Sequence, residues 1–483
     1  MENPNQNLSS PKEKFVKGFQ KSLNDPQLRK NFRNASFALK SMRQTAFPDE
    51  AAFKELQELG HRIKMKALKN LGPLLRQLEQ KCQEKGIQVH WAESTDEANQ
   101  IVLEICQRNN AASVIKGKSM VTEEMHLNHF LEQHKIEAIE TDLGEYIIQL
   151  DHETPSHIIA PAIHKDKKQI AQLFNDKIEG AGYTEVYEEL NAIARKSLRK
   201  KFYKADVGIT GVNFAIAETG TICLVENEGN GRMCSTLPPV HIAVMGMEKV
   251  IPTLEELPPL LTLLARSATG QPISTYFNMI NSPRKEGEKD GPKEVHLVIL
   301  DNRRSQIYQD EHLQKTLLCI RCGACLNHCP VYSRIGGHAY NQVYPGPIGK
   351  ILAPQMNGLE STGGVHNASS LCGACGEVCP VKIPIPEILL RLRYEGVNKS
   401  RSSKVHEHGT QQNFKESMAW KFWEKIHASP VLYKTNSGLG NLLNSVMPKN
   451  AGPLKNWSEF REVPQFAAKS LHQLAREKGV ADE

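Results

Sequence analysis

The sequence predicts an α/β fold with a mostly parallel sheet, joined to a separate cysteine-rich domain. Three observations carry that prediction. Between about residues 71 and 302, short apolar strand candidates alternate with amphipathic helix candidates, the order that places helices over a parallel sheet. Between residues 303 and 398, seven of the eleven cysteines fall in two runs, each ending in Cys-Pro. At 483 residues the chain also exceeds one compact core and should divide into roughly two to four units.

The elements follow in order. Residues 1–70 read as an N-terminal helical segment, in which Phe53, Leu56, Leu59 and Ile63 recur at helical spacing and leave Lys, Glu and Gln outside. The α/β unit, 71–302, opens with a helix from Leu74 to Glu84, a strand from Ile87 to Trp91, a helix from Thr95 to Arg108 and a strand from Ser113 to Ile115. Further strands are expected at Val207 to Ile209, Thr221 to Val225, His241 to Met245 and Val295 to Leu300, with one long polar helix around Lys167 to Lys200. The cysteine region spans 303–398. In the last part, 399–483, Lys399 to Gln412 reads as a polar linker, and a tail bearing Trp420, Trp423 and Trp457 reads as a small helical appendage or a partly ordered segment.

Composition narrows the function classes. Sixty basic and 54 acidic side chains give a formal charge of +6, too mild an excess to argue for a nucleic-acid partner. The N-terminus is polar and no stretch reaches the roughly 18 apolar residues of a membrane span. A cytoplasmic location is expected, where thiols stay reduced and cysteines serve as ligands or core residues.

The first run is Cys319-Ile-Arg-Cys322-Gly-Ala-Cys325-Leu-Asn-His-Cys329-Pro330. This is the C-x2-C-x2-C-x3-C-P spacing of iron–sulfur loops, in which thiolates three residues apart on a curled backbone converge on one cubane. The second run, Ser369-Ser-Leu-Cys372-Gly-Ala-Cys375-Gly-Glu-Val-Cys379-Pro380, repeats it with serine in the first ligand place. In two-cluster ferredoxins the fourth cysteine of each run ligates the other cluster. The first cluster then takes Cys319, Cys322, Cys325 and Cys379, and the second Cys329, Cys372 and Cys375, with Ser369 or a non-protein group for the last iron. Serine is a weak acid and a hard donor. The second site therefore admits a 4Fe–4S cluster with oxygen ligation, one with an open iron, or a 3Fe–4S cluster. Repeated C-x2-C can also hold zinc, but three cysteines at three-residue intervals and the x3-C-P endings suit clusters better. Cys82, Cys106, Cys223 and Cys234 read as core residues.

No G-x-G-x-x-G fingerprint opens a βαβ unit, and Gly117-Lys118-Ser119 fails as a P-loop because position 112 is Ala112. Electron transfer is the function that remains plainest. Polar residues nevertheless concentrate around Lys116 to Glu124, Glu140 to Glu145, Pro155 to His164, and most densely from Gly208 to Thr221 and Glu226 to Arg232. Such turns suit backbone contacts to a carboxylate or phosphate as well as ordinary capping. Lys118, Asn213, Glu218 and Arg232 are the residues that would serve a cleft acting on a 2-hydroxy or 2-oxo acid.

These segments, both cysteine runs, Gly336-Gly-His-Ala-Tyr340 and Tyr344-Pro-Gly-Pro-Ile-Gly349 together resemble the lactate utilization protein B family over nearly the whole chain. The resemblance implies an α/β domain like the sugar-isomerase and CoA-transferase fold, followed by a helical two-cluster ferredoxin domain. It implies an iron–sulfur component in oxidation of L-lactate to pyruvate, working with other subunits and an electron acceptor that remains unnamed. A subunit of a glycolate or glycerol-phosphate dehydrogenase is the alternative. The family pattern has three assigned cysteines at the second cluster, so Ser369 is expected as a family trait. Fold relatives use an acidic residue in catalysis, for which Glu218 and Glu226 are candidates without a motif to carry the role over.

Overall fold

β-branched residues concentrate where the backbone is most buried, and they order the sheet. In the computed structural model, residues 10–397, 414–433, 435, 469 and 471–479 are described. The strands among them are β1 (Gln88–Ala92), β2 (Ser113–Lys116), β3 (Glu137–Glu140), β4 (Val207–Gly211), β5 (Phe214–Ile216), β6 (Thr221–Glu226), β7 (Val240–Gly246), β8 (Val250–Ile251), β9 (Tyr276–Ile280) and β10 (Glu294–Leu300). One six-stranded sheet has the order β1-β10-β7-β4-β2-β3, and every pair in it is parallel. Its central strands β4 and β7 are buried at every residue, as a sheet covered on both faces requires.

The chain leaves β2 toward β3 at one edge, whereas from β4 it proceeds toward β7 and the other edge. The direction therefore reverses between β2 and β4. A crevice at the carboxyl ends of strands beside such a reversal is where open parallel sheets bind ligands.

Three expectations need correction. The segment Thr221 to Val225 is a strand, but it lies in a second, four-stranded sheet of order β8-β5-β6-β9. The turn from β5 to β6 is too short for a crossover, so that pair is antiparallel, with Gly220 at φ 62° in the bend. The single helix expected around Lys167 to Lys200 is two, Lys167–Lys177 and Tyr187–Lys204, separated by a segment containing Gly180 at φ 72° and Gly182. β3, with the sequence Glu-Ala-Ile-Glu, carries too little apolar pattern to be read as a strand; it pairs in parallel with β2, whose Lys116 meets Glu140 at 2.7 Å.

Around the cysteine runs the chain is mostly helical, with turns at Ala324–Asn327, Tyr332–Ile335 and Ala374–Glu377 and longer helices at Gly346–Asn357 and Ile385–Val397. The N-terminal helices Pro11–Leu23, Pro26–Ala46 and Glu50–Lys69 pack against this region. Phe32 meets Tyr332 edge-on at 5.4 Å, and the Gln57 amide donates to the carbonyls of Cys379 (2.6 Å) and Glu377 (3.1 Å). Of the stripe expected on the third helix, Phe53 and Ile63 are buried and Leu56 and Leu59 partly so.

The chain divides into two compact units, Met1–Thr410 and Gln411–Glu483. The second contains helices Phe414–Ala428 and Leu471–Glu477, with Trp420 and Trp423 on the first; the predicted linker and Trp457 lie outside the described residues. Among the described residues no helix is long and apolar enough to cross a membrane.

Candidate metal centre and adjoining cleft

The two cysteine runs fold into the same local backbone. Arg321 and Leu371, each just before the second ligand position, have φ of 62° and 55°, and the glycines after it, Gly323 and Gly373, have φ of 84° and 85°. Glycine tolerates that left-handed turn, which opens the short helices carrying Cys325 and Cys375. The repeat extends to the position where the sequences differ. The Arg321 N–H donates to Cys319 Sγ at 3.4 Å, and the equivalent Leu371 N–H donates to Ser369 Oγ at 3.2 Å. Ser369 thus occupies the cysteine place in conformation as well as in register.

Two concavities sort the seven cysteines. One is lined by Cys319, Cys322, Cys325 and Cys379 with Ile158, Ile320, Ile348 and Val381. The other is lined by Cys329, Cys372, Cys375 and Ser369. Cys379 of the second run thus lines the first concavity and Cys329 of the first run the second. The first concavity is closed: Cys322, Cys325 and Cys379 are all buried. The second is open, with Cys372 exposed and Cys375 half-buried.

The electrostatics differ in step. Burial pushes the Cys379 thiol up to about 12 and raises those of Cys322 and Cys325. Backbone N–H groups oppose this at each sulfur, from Ile383 and Val381 to Cys379, Ala324 to Cys322 and Ile348 to Cys325. At the open site burial takes Cys375 to about 11, whereas the Ala374 N–H and the Ser370 hydroxyl hold Cys372 below the usual thiol range. A buried lysine, Lys350, donates to Cys329 Sγ at 3.4 Å.

The donor sets fit iron–sulfur clusters. They are soft sulfur ligands supported by N–H donors within apolar walls. Four sulfurs on one tetrahedral zinc would lie about 3.8 Å apart, from a metal–sulfur bond of about 2.3 Å. Among the described residues, the groups of three ligand atoms within 4.8 Å of one another consist of Glu153, His164 and His338, and of Glu123, Glu140 and Glu145, so the cysteine sulfurs are more widely spread. Ligands on separate irons of a cubane require that spread.

Beside the closed site lies a cleft of about 290 Å³ at the carboxyl ends of the parallel strands. Gly117, Lys118 and Ser119 follow β2, Asp142 follows β3, Val212 and Asn213 follow β4, and Lys249 follows β7. Its far wall is Arg321, Cys322 and Tyr344 from the cysteine region. Of the four residues proposed for a cleft, Lys118 and Asn213 line it and Glu218 and Arg232 do not. Glu218 instead accepts the Leu254 N–H at 3.1 Å, and Arg232 is exposed on the helix Asn230–Thr236, its N–H bound to Glu226 at 2.7 Å. Glu226 does line the cleft.

Sequence reasoning missed the buried network beneath this cleft. Glu248 accepts from Arg304 Nε at 2.6 Å and Arg321 Nη2 at 3.1 Å; Arg304 also reaches Glu124 at 2.7 Å, and Tyr344 donates to the same carboxylate. Arg321 lies over the Tyr344 ring at 4.7 Å. Burial alone would raise the Glu248 carboxyl, but Arg304 and Arg321 hold it down to about 2. Burial, with Arg321 nearby, lowers Lys249 to about 8, which leaves it cationic at neutral pH. His157, from the segment Pro155 to His164, is buried against the first cysteine loop, bonded to Asn327 at 3.2 Å. No local signal marks these contacts, whose hydrogen bonds join residues from 56 to 220 positions apart.

Three known families match parts of this chain. Residues 75–300 match the LUD domain, residues 315–383 the 4Fe-4S dicluster domain, and residues 391–480 the C-terminal domain of lactate utilisation protein B. Lactate utilization protein B of Shouchella clausii is 44% identical over 97% of this chain and 98% of its own length. The Bacillus subtilis protein of that name is 42% identical, covering 93% of each. An uncharacterized electron transport protein, YkgF of Escherichia coli, is 40% identical over 95% of each. A crystal structure of a duf162 family protein from Deinococcus radiodurans covers 48% of this chain and 98% of its own, at 16% identity and a TM-score of 0.27. Fold and site together define an iron–sulfur protein in which a two-cluster domain follows an α/β domain. The chain belongs to the lactate utilization protein B family.

Proposed function

We propose that this chain is the iron–sulfur electron-transfer component of a system that oxidises L-lactate to pyruvate, and that it works with other subunits in the cytoplasm. The observation that carries the reading is the sorting of seven cysteines and Ser369 between one closed and one open concavity. Cys319, Cys322, Cys325 and Cys379 would hold the first cluster, and Cys329, Cys372 and Cys375 the second, with Ser369 or an external group on its last iron. Iron–sulfur clusters supply one-electron acceptance and release at potentials set by charge, hydrogen bonds and exposure. The residues do the remaining work. Isoleucine and valine side chains exclude water from the closed site, N–H donors stabilise thiolate over thiol, and Lys350 places a positive charge on Cys329.

The domain division that goes with this reading is 1–70, 71–302, 303–398 and 399–483. The parallel sheet supports kinship of the second part with the sugar-isomerase and CoA-transferase class, and the helical surroundings of the cysteines support a ferredoxin-like third part. A deletion strain tested on separate carbon sources checks the pathway: growth on L-lactate should fail while growth on glycolate or glycerol persists. Unimpaired growth on lactate contradicts the assignment.

A further inference from the structure

We infer that Glu153, His164 and His338 form a binding site for a divalent transition metal of the zinc class, placed where the α/β part of the chain meets the cysteine region. The inference goes beyond the electron-transfer reading and does not rest on it.

Two imidazoles and one carboxylate suit zinc and its neighbours better than magnesium or calcium, which take oxygen ligands. One ligand atom from each of the three residues lies within 4.8 Å of the other two. Around a single zinc ion, bonds of about 2.0–2.1 Å would set such atoms about 3.3 Å apart. Glu153 and His338 are exposed and His164 is buried, so small rotations of the two outer side chains around a fixed inner one close the difference. The other triad, Glu123, Glu140 and Glu145, already surrounds an ammonium group, because Lys116 lies 3.1 Å from Glu123 and 2.7 Å from Glu140.

Both rings are arranged as ligands. The Nε2–H of His338 donates to the Thr154 carbonyl at 2.7 Å, which leaves a lone pair on Nδ1. Metal-bound histidines anchor their other N–H on a carbonyl in this way. Burial, with His164 nearby, lowers His338 below the usual imidazole range, so the ring is neutral at neutral pH. His164 reaches Glu153 from Nε2 at 2.6 Å, and its Nδ1 is buried without a hydrogen-bond partner. The contact with Glu153 therefore does not account for the whole ring, which is only 7% exposed.

The backbone holds the two rings together, with their centroids 4.5 Å apart. Gly337 packs so closely on the loop between helices Leu143–Leu150 and Lys167–Lys177 that a Cβ there would lie 1.9 Å from the Ser156 carbonyl oxygen. Its N–H donates to Ser156 Oγ at 3.2 Å, and the Tyr332 hydroxyl donates to the Ser156 carbonyl at 2.7 Å. From the N-terminal helices, the Asn31 amide donates to the His164 carbonyl at 2.8 Å. The motif Gly336-Gly-His-Ala-Tyr340, which cluster ligation leaves unused, thus presents an imidazole to the α/β part. A cavity of about 380 Å³ opens beside the three residues and leaves room for water as a further ligand. Lys165 is the competitor, 2.9 Å from Glu153 and also bonded to Asp151. A metal ion would displace it onto Asp151 alone.

Anaerobically purified full-length protein, its iron content verified, is dialysed against micromolar zinc, and the bound zinc is counted and examined by X-ray absorption. One zinc per chain is expected, with nitrogen and oxygen neighbours at about 2.0–2.1 Å. Zinc should also raise the melting temperature. His338→Gln and Glu153→Gln, both at exposed positions, should each weaken zinc binding about tenfold or more and lose the thermal shift. Lys165→Met, which removes the competing cation, should bind zinc more tightly than wild type. No bound zinc, sulfur neighbours alone at about 2.3 Å, or undiminished binding in folded His338→Gln and Glu153→Gln proteins overturns the inference. Binding no tighter in Lys165→Met also overturns it, because the lysine then does not compete for Glu153.

Discussion

The two cysteine sites share a backbone and differ in almost everything around it. The closed site offers four sulfurs, apolar walls, and an arginine tied to a buried ion network. The open site offers three sulfurs and a serine, with one ligand exposed and a single lysine bonded to another. Duplicated loops thus acquire separate surroundings through exposure and charge rather than through backbone geometry. The closed site lies next to the cleft, and the open one is exposed at the surface.

Removing a ligand from each site tests this difference most severely. Cys325→Ser should abolish the first cluster and disrupt the packing around it, with loss of about half the iron and a large fall in soluble protein. Cys372→Ser should cost the second cluster but leave the fold intact by circular dichroism. Equal effects on folding would erase the distinction between the sites.

Next in size is the network beside the closed site. Glu248→Ala leaves Arg304 and Arg321 buried beside a missing carboxylate and should destabilise the protein by about 3–5 kcal/mol in denaturant titrations. The Glu248 carboxyl is depressed, so its contribution is present above the ordinary carboxylate range. That contribution should fade as pH falls through the window ending at about 2, a loss absent from Glu248→Ala. Stability of the variant equal to wild type at neutral pH would show that the network does not anchor the loop.

A smaller effect is expected at the open site. Replacing Lys350 with Met removes a cation bonded to Cys329 and should lower the second cluster's reduction potential by on the order of 100 mV, leaving the first almost unmoved. Redox titration followed by electron paramagnetic resonance checks this, and a shift of both potentials together would mean the sites are not electrostatically separate. The smallest structural change is Ser369→Cys. The local backbone already accepts a cysteine in the homologous loop, so stability should stay within about 0.5 kcal/mol by thermal melting while the spectrum of the second cluster changes.

The shared form of the cysteine loops was legible in the sequence because its geometry is local: the spacing of cysteines and glycines dictates the loop. The central strands were legible for a similar reason, since β7 and β10 are apolar but for His241, Glu294 and His296, and β4 has Val207 and Ile209. The cleft was only half legible. Lys118 and Asn213 follow strand ends and line it, but Glu218 accepts the Leu254 N–H and Arg232 is exposed on a short helix. Glu248 lies after β7 in a stretch with no motif, and its importance arises only where Arg304 and Arg321 fold back onto it. The packing of the N-terminal helices on the cysteine region was equally hidden, because an amphipathic stripe announces a partner without naming it.

The central claim is that two iron–sulfur sites of unequal ligation share one chain. Anaerobic iron and sulfide analysis of wild type and Ser369→Cys, with electron paramagnetic resonance during stepwise reduction, tests it most directly. The account predicts two separately reducible clusters, of which the substitution alters only the second. Zinc in place of iron, one cluster per chain, or a substitution that alters both signals alike would contradict it.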